Sequence, residues 1–207
     1  MNKCTTDYTE YNLRRFAEIL SYGANRADAY GLATHLIRTY GSIDNVFAAP
    51  HCDLARLVGN NTANYLKVIA AVTSRRATDS FKFGVAHTRR EVAEYFMALL
   101  LSESVETVWA MMMDDGGAVI ECKQVSRGTV NMSDVIARNI IEAAISCGSG
   151  RVVLAHNHPQ GIAKASKDDI SMTVGLGDVL ARAGIKLEYH LVVAGCECDV
   201  VSALTQS

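Results

Sequence analysis

Proline is scarce, with two residues in a chain of 207, at Pro50 and Pro159. Low-complexity tracts are missing as well, which leaves little room for extended disorder. No apolar run approaches the roughly 20 residues needed to span a bilayer. The opening Met1-Asn2-Lys3-Cys4-Thr5-Thr6-Asp7 lacks the apolar stretch and small-residue cleavage site of a secretory signal. The expectation is a cytoplasmic protein with no membrane association. A dominant charge of one sign is also absent, since the net charge is −2. Residues 1–80 hold nine Lys/Arg against seven Asp/Glu, and residues 81–207 hold eleven against fifteen. Neither part has the basic excess of a protein whose affinity comes from phosphate contacts, so tight non-specific nucleic-acid binding is unsupported. No C-x-x-C occurs. The six cysteines are scattered, and Cys196-Glu197-Cys198 is only a C-x-C pair. Reduced thiols are the default for such a chain. The H-x-E and P-C-x-x-C signature of zinc deaminases is missing, which sets that class aside.

What the chain does have is apolar material, 49% of its residues against 20% charged, enough for a packed core. Leu13, Phe16, Ala17, Ile19 and Leu20 recur near the helical period, and Gly23 offers a stop. A second helix is expected from Arg26 to Tyr40, ending at Gly41. Ser42 and Asp44 open a short third, and Asp53 is the expected cap of a fourth. Val58-Gly59-Asn60-Asn61 reads as a turn before a helix from Thr62 to Ser74. The polar stretch Arg75–Ser80 marks the expected boundary between a helical module, residues 1–80, and a second domain, residues 81–207.

Beyond it, a helix opened by Thr88 or Arg89 and running through Leu101 precedes an apolar strand, Thr107–Met113. Asp114-Asp115-Gly116-Gly117 has hairpin chemistry, and Ala118–Val125 returns as the paired strand. A helix over Asp134–Ser146, a buried strand over Arg151–His158, a helix over Ser166–Ala183 and a final strand over Ile185–Val193 follow. Strands alternating with helices predict an α/β fold, a mixed sheet flanked by helices, with a small all-α domain at the amino end.

The chemistry concentrates in His156-Asn157-His158-Pro159 and Ser166-Lys167-Asp168-Asp169. Residues i and i+2 of a strand share a face, so His156 and His158 project side by side at the strand's end. Asp169 stands in the first turn of the next helix. Two imidazoles and a carboxylate make three ligands for zinc and leave a fourth position for water, the pattern of a catalytic site. Ser166 followed by an acid three residues on also fits a helix cap, a role compatible with ligation.

His156-x-His158-Pro159-x₆-Ser166-x-x-Asp169 resembles the JAMM motif of MPN/JAB metalloproteases. Gly128-Thr129, Ala155-His156-Asn157-His158-Pro159 and the later His190 resemble the bacterial RadC family in particular. The likeness covers residues 88–203, and residues 10–76 are similar to a helix-hairpin-helix-type module. It implies a JAB/MPN, cytidine-deaminase-like fold and one Zn2+ per chain, held by His156, His158 and Asp169. It further implies Glu106 as general base and proton shuttle, and Ser166 as hydrogen-bond donor to the water or developing oxyanion. Glu103 and Glu121 are the competing bases.

The implied activity is hydrolysis of a peptide or isopeptide amide in a peptide or protein substrate. A small-metabolite amide would use the same site. The family's association with DNA repair suggests an alternative, a DNA-binding accessory protein with an idle metal site. Several residues depart from the family pattern. Ala137-Arg138-Asn139 lacks an acid, Tyr189 replaces an Asp that could orient a ligand, Gln160 replaces a serine, and Gly59-Asn60-Asn61 replaces a glycine-rich hairpin. His35 and His51 read as surface or packing residues, His87 has no spacing that ties it to the site, and His190 reads as a core histidine.

Overall fold

A computed structural model describes residues 3–24, 28–128, 133–159 and 162–201. The chain divides into two compact units, Met1–Val72 and Thr73–Ser207.

The first unit is helical: α1 (Lys3–Ala24), α2 (Ala29–Tyr40), α3 (Ile43–Ala48), α4 (His51–Val58) and the start of α5 (Asn60–Ser80). Asp28 caps α2 by accepting from the Gly31 amide at 2.8 Å, and Ser42 caps α3 through the Asn45 amide at 3.0 Å. Pro50, not Asp53, holds the cap position of α4. Proline has no N–H to satisfy there and a φ suited to helix entry, while Asp53 lies in the first turn, where a negative charge favours the helix dipole. The expected four-residue turn contracts to Gly59, whose φ of 81° lets α5 begin at once. Helix α5 also continues through Arg75–Ser80, where composition alone suggests a polar linker. The Arg75–Asp79 pair, 2.9 Å apart at i,i+4, supports those turns. Phe16, Leu20, Leu36, Val46, Leu54 and Leu66 form the buried centre of this unit.

In the second unit, α6 (Arg89–Leu100) leads to β1 (Thr107–Met113) and β2 (Val119–Arg127). Then come α7 (Ser133–Cys147), β3 (Arg151–Asn157), α8 (Lys167–Arg182), β4 (Lys186–Ala194) and β5 (Glu197–Val200). The sheet order is β2-β1-β3-β4-β5. Only β3 and β4 run parallel, joined by the α8 crossover that parallel neighbours require; the other pairs are antiparallel. This is the mixed α/β sheet flanked by helices that the sequence predicts. Strand β4 is not the last, however. Gly195 and Cys196 turn the chain into β5, a four-residue edge strand whose polar Glu197 and Asp199 hide its strand character. The C-x-C pair lies in this hairpin, with Cys196 exposed.

Alternation sorts the central strands between two cores. Val108, Ala110, Met112, Val152 and Leu154 pack with Ile136 and Ile140 of α7 and Leu176 and Leu180 of α8. Met111, Met113, Val153, Ala155, Leu191 and Val193 pack with Val92 and Phe96 of α6. Coverage on both faces explains why β3 reads as the continuous run Val152-Val153-Leu154-Ala155. Among the described residues no helix is long and apolar enough to cross a membrane.

Candidate metal centre

The register of β1 against β3 sets Val108 opposite His156. Counting on by two places Glu106 opposite His158, at the carboxyl end of β3. His156 and His158 share the face of Val152 and Leu154, the one covered by α7 and α8. Helix α8 starts at the same end. Ser166 caps it by accepting from the Asp169 amide at 3.1 Å, and the Ser166 amide donates to Asp169 Oδ2 at 2.7 Å. This capping box turns the Asp169 carboxylate back toward the sheet.

Four side chains converge as a result. His156 Nε2 and His158 Nε2 are 3.0 Å apart. Asp169 Oδ1 is 3.1 Å from His156 Nε2, and Oδ2 is 3.4 Å from His158 Nε2. Glu106 Oε1 stands 3.8 Å from His158 Nε2. Glu106, His156 and His158 offer ligand atoms all within 4.8 Å of one another, so either carboxylate could complete a three-donor set. Asp169 lies nearer both imidazoles and is buried with His156, whereas Glu106 is about one-third exposed. That difference suits Asp169 to hold an ion and Glu106 to exchange protons with water.

The donor chemistry fits a cation. His158 Nδ1 lies 3.2 Å from the Ile162 carbonyl. A carbonyl only accepts, so Nδ1 carries a proton there, and Nε2 is the nitrogen that faces His156 and the carboxylates. Burial works to raise the Asp169 pKa, but hydrogen bonds from His156 and Ser166 prevail and hold it below the usual carboxylate range. Asp169 is therefore charged at neutral pH.

His156 Nδ1 is 2.8 Å from His190 Nε2, and His190 Nδ1 is 2.7 Å from Thr173 Oγ1. The Thr173 hydroxyl donates to the Asp169 carbonyl at 2.6 Å. Burial, reinforced by the neighbouring His156, pushes the His190 pKa down to about 3. His190 is thus a buried core residue and also the direct partner of a site histidine. Alternation on β4 could have signalled this, because Leu191 and Val193 take the opposite face.

Asn157, between the two histidines, points to that opposite face and ties down the segment carrying Glu106. Its Oδ1 accepts from the Thr107 amide and hydroxyl, both at 2.8 Å, and its Nδ2 donates to the carbonyls of Val105 at 3.1 Å and Glu103 at 3.4 Å. The competing acids stand apart. Glu103 is paired with Arg127 at 2.7 Å. Glu121 is opposite Met112, itself opposite Val152 at the far end of β3.

The other histidines singled out in the sequence are surface or packing residues. His87 stacks on Phe81 and bonds the Lys82 carbonyl at 2.7 Å. His51 bonds Asn64, and His35 is exposed. Tyr189 packs on the α6 side under the Arg89 guanidinium, so it stands away from the ligands that an Asp at this position would be expected to orient. Alternation is the reason, since neighbouring Tyr189 and His190 take opposite faces of β4. Asn139 donates to the Val125 carbonyl at 2.9 Å. Gln160 and Thr129 lie outside the described residues.

A two-faced α/β domain with histidines and carboxylates gathered at one end of its sheet defines a protein class equipped to hold a metal ion. The profile of the RadC-like JAB domain matches residues 86–206, more than half of the chain. The chain belongs to the RadC-like JAB domain family. It is also similar to a UPF0758 protein of Janthinobacterium sp. (strain Marseille), 29% identical over 182 residues, covering 86% of this chain and 81% of that one. A UPF0758 protein of Photobacterium profundum is 29% identical over 184 residues, with 87% and 82% covered.

Proposed function

We propose that this chain is a zinc-dependent hydrolase of peptide or isopeptide bonds. The observation that carries the reading is the convergence of His156, His158 and both oxygens of Asp169 within 3.4 Å at one end of the sheet. His156, His158 and Asp169 would hold the ion. Bound there, zinc supplies Lewis acidity, which brings the pKa of water from 15.7 to roughly 7.

The protein's own groups manage the protons. Glu106, partly exposed beside His158, takes a proton from the attacking water as the new C–O bond forms. It returns that proton to the nitrogen as the C–N bond breaks, so a carboxylic acid and an amine leave. The Ser166 oxygen is engaged as acceptor from the Asp169 amide, which leaves its hydroxyl proton free to donate where negative charge develops. A well-placed donor of that kind contributes about 2.7–4 kcal/mol.

The test is metal content together with peptidase activity on the full chain. About one zinc per chain is expected, with the zinc lost in His156→Ala. Glu106→Gln should retain the metal and lose hydrolysis. A Glu106→Gln variant as active as the parent removes Glu106 from the mechanism.

A further inference from the structure

We propose that the outward face of α7 is a self-complementary interface at which two copies of this chain pair across a twofold axis. The face is the stripe Val135, Arg138, Glu142 and Ile145, every member of it exposed. The spacings are three, four and three residues, so at about 100° per residue all four fall on one side of the helix. The opposite side, with Ile136, Ala137, Ile140, Ala143 and Ala144, is the one packed into the core.

Two properties set this stripe apart from an ordinary solvated face. The first is apolar surface at both ends, with Val135 41% and Ile145 72% exposed. Single exposed apolar side chains are common on folded proteins and ask for no partner. These two, however, close the ends of one strip, and a groove between α7 and α8 lined by Ala137, Ile141 and Val179 extends the apolar surface beside it.

The second property is symmetry. Read from either end, the stripe runs apolar, charged, charged, apolar, and the charge changes sign about position 140. An antiparallel copy of α7 centred on that position sets Arg138 against the partner's Glu142, and Glu142 against the partner's Arg138. Val135 then meets the partner's Ile145, and Ile145 the partner's Val135. Such reciprocal pairing is the condition for an isologous interface. Within one chain Arg138 Nε and Glu142 Oε1 are 2.8 Å apart, but both side chains are mostly exposed, so that pair contributes little alone. Across the twofold axis each charge gains a second opposite charge, while the apolar residues at the ends leave water. A stripe of one charge would repel its own copy, and a foreign partner would not need the pattern to match in both directions. Complementarity of the stripe with itself selects a second copy as the occupant.

Sedimentation velocity of the full chain over a range of concentrations tests the interface. A concentration-dependent dimer is expected. Arg138→Glu and Glu142→Arg each set like charges against one another across the axis, and each should weaken dimerisation about tenfold or more. An equimolar mixture of the two variants should dimerise again, because each offers the charges that the other lacks. The double variant Arg138→Glu/Glu142→Arg should dimerise like the parent. A parent that stays monomeric up to about 1 mM overturns the proposal. So does a dimer that neither reversal weakens, or a mixture of the two variants that stays monomeric. If a reversal variant does not fold, Ile145→Ser decides, since it leaves both charges in place. A weaker dimer then supports the interface, and an unchanged dimer overturns it.

Discussion

Asn157 offers a sharp test of how the sheet positions Glu106. Replacing it with alanine removes the acceptor shared by the Thr107 amide and hydroxyl and the donor to the Val105 and Glu103 carbonyls. Thr107 is fully buried, so its two donors cannot turn to water. An orphaned buried polar group costs about 1–3 kcal/mol. The hydroxyl can rotate to relieve part of that. The expected loss is therefore about 2–4 kcal/mol. Urea unfolding followed by fluorescence is a suitable assay, because the single tryptophan, Trp109, lies on β1 two residues beyond Thr107. Zinc uptake should survive, since His156 is carried by β3 and His158, just after it, is held by its amide to the Val193 carbonyl at 2.8 Å, while hydrolysis should fall as Glu106 loses its anchor. Asn157→Asp should also be destabilised at neutral pH, because a carboxylate cannot donate to the two carbonyls. A loss below about 0.5 kcal/mol in Asn157→Ala, the range of a neutral surface substitution, would refute the clamp.

Two further outcomes follow from charge. Burial works to raise the Glu188 pKa, but Arg151 at 2.6 Å and Lys186 at 3.2 Å hold it below the ordinary 4.5. A depressed carboxylate stabilises the fold above its unfolded pKa, and that contribution is lost as pH falls. Stability should therefore drop on acidification below about pH 5, and Glu188→Gln should reduce the drop by about 0.5–1 kcal/mol, as expected for a partly exposed pair. In a DNA titration of the full chain across ionic strength, weak or undetectable binding is expected from the near-neutral amino-terminal charge. Tight binding that falls steeply with salt would favour the accessory-protein alternative.

The clustering of His156 and His158 with Asp169 was legible in part because it follows short-range rules. Two residues two apart on a strand share a face, and Ser166 with Asp169 announces a helix start; the resemblance to the JAMM motif joined the two into one set. Strand β1 was legible from end to end because it is apolar and bounded by Glu106 and Asp114. Strand β5 was not, since four residues alternating with acids look like a loop until β4 supplies the hydrogen bonds. The extension of α5 was hidden for a similar reason, as its polar residues pair along the helix surface. Thr173 escaped notice, and so did the contacts of His190 and Asn157, because they depend on tertiary placement. Alternation on β4 gives the face His190 takes, but nothing local tells that Thr173 on α8 meets it there, or that Asn157 reaches the backbone ahead of β1.

Anomalous diffraction at the zinc edge from crystals of the zinc-loaded protein tests the central claim most directly. One peak per chain is expected, bounded by His156 Nε2, His158 Nε2 and the Asp169 carboxylate, each at about 2.0–2.2 Å. An ion bound elsewhere, at Cys196 and Cys198 for example, or no zinc peak at all, would contradict the account.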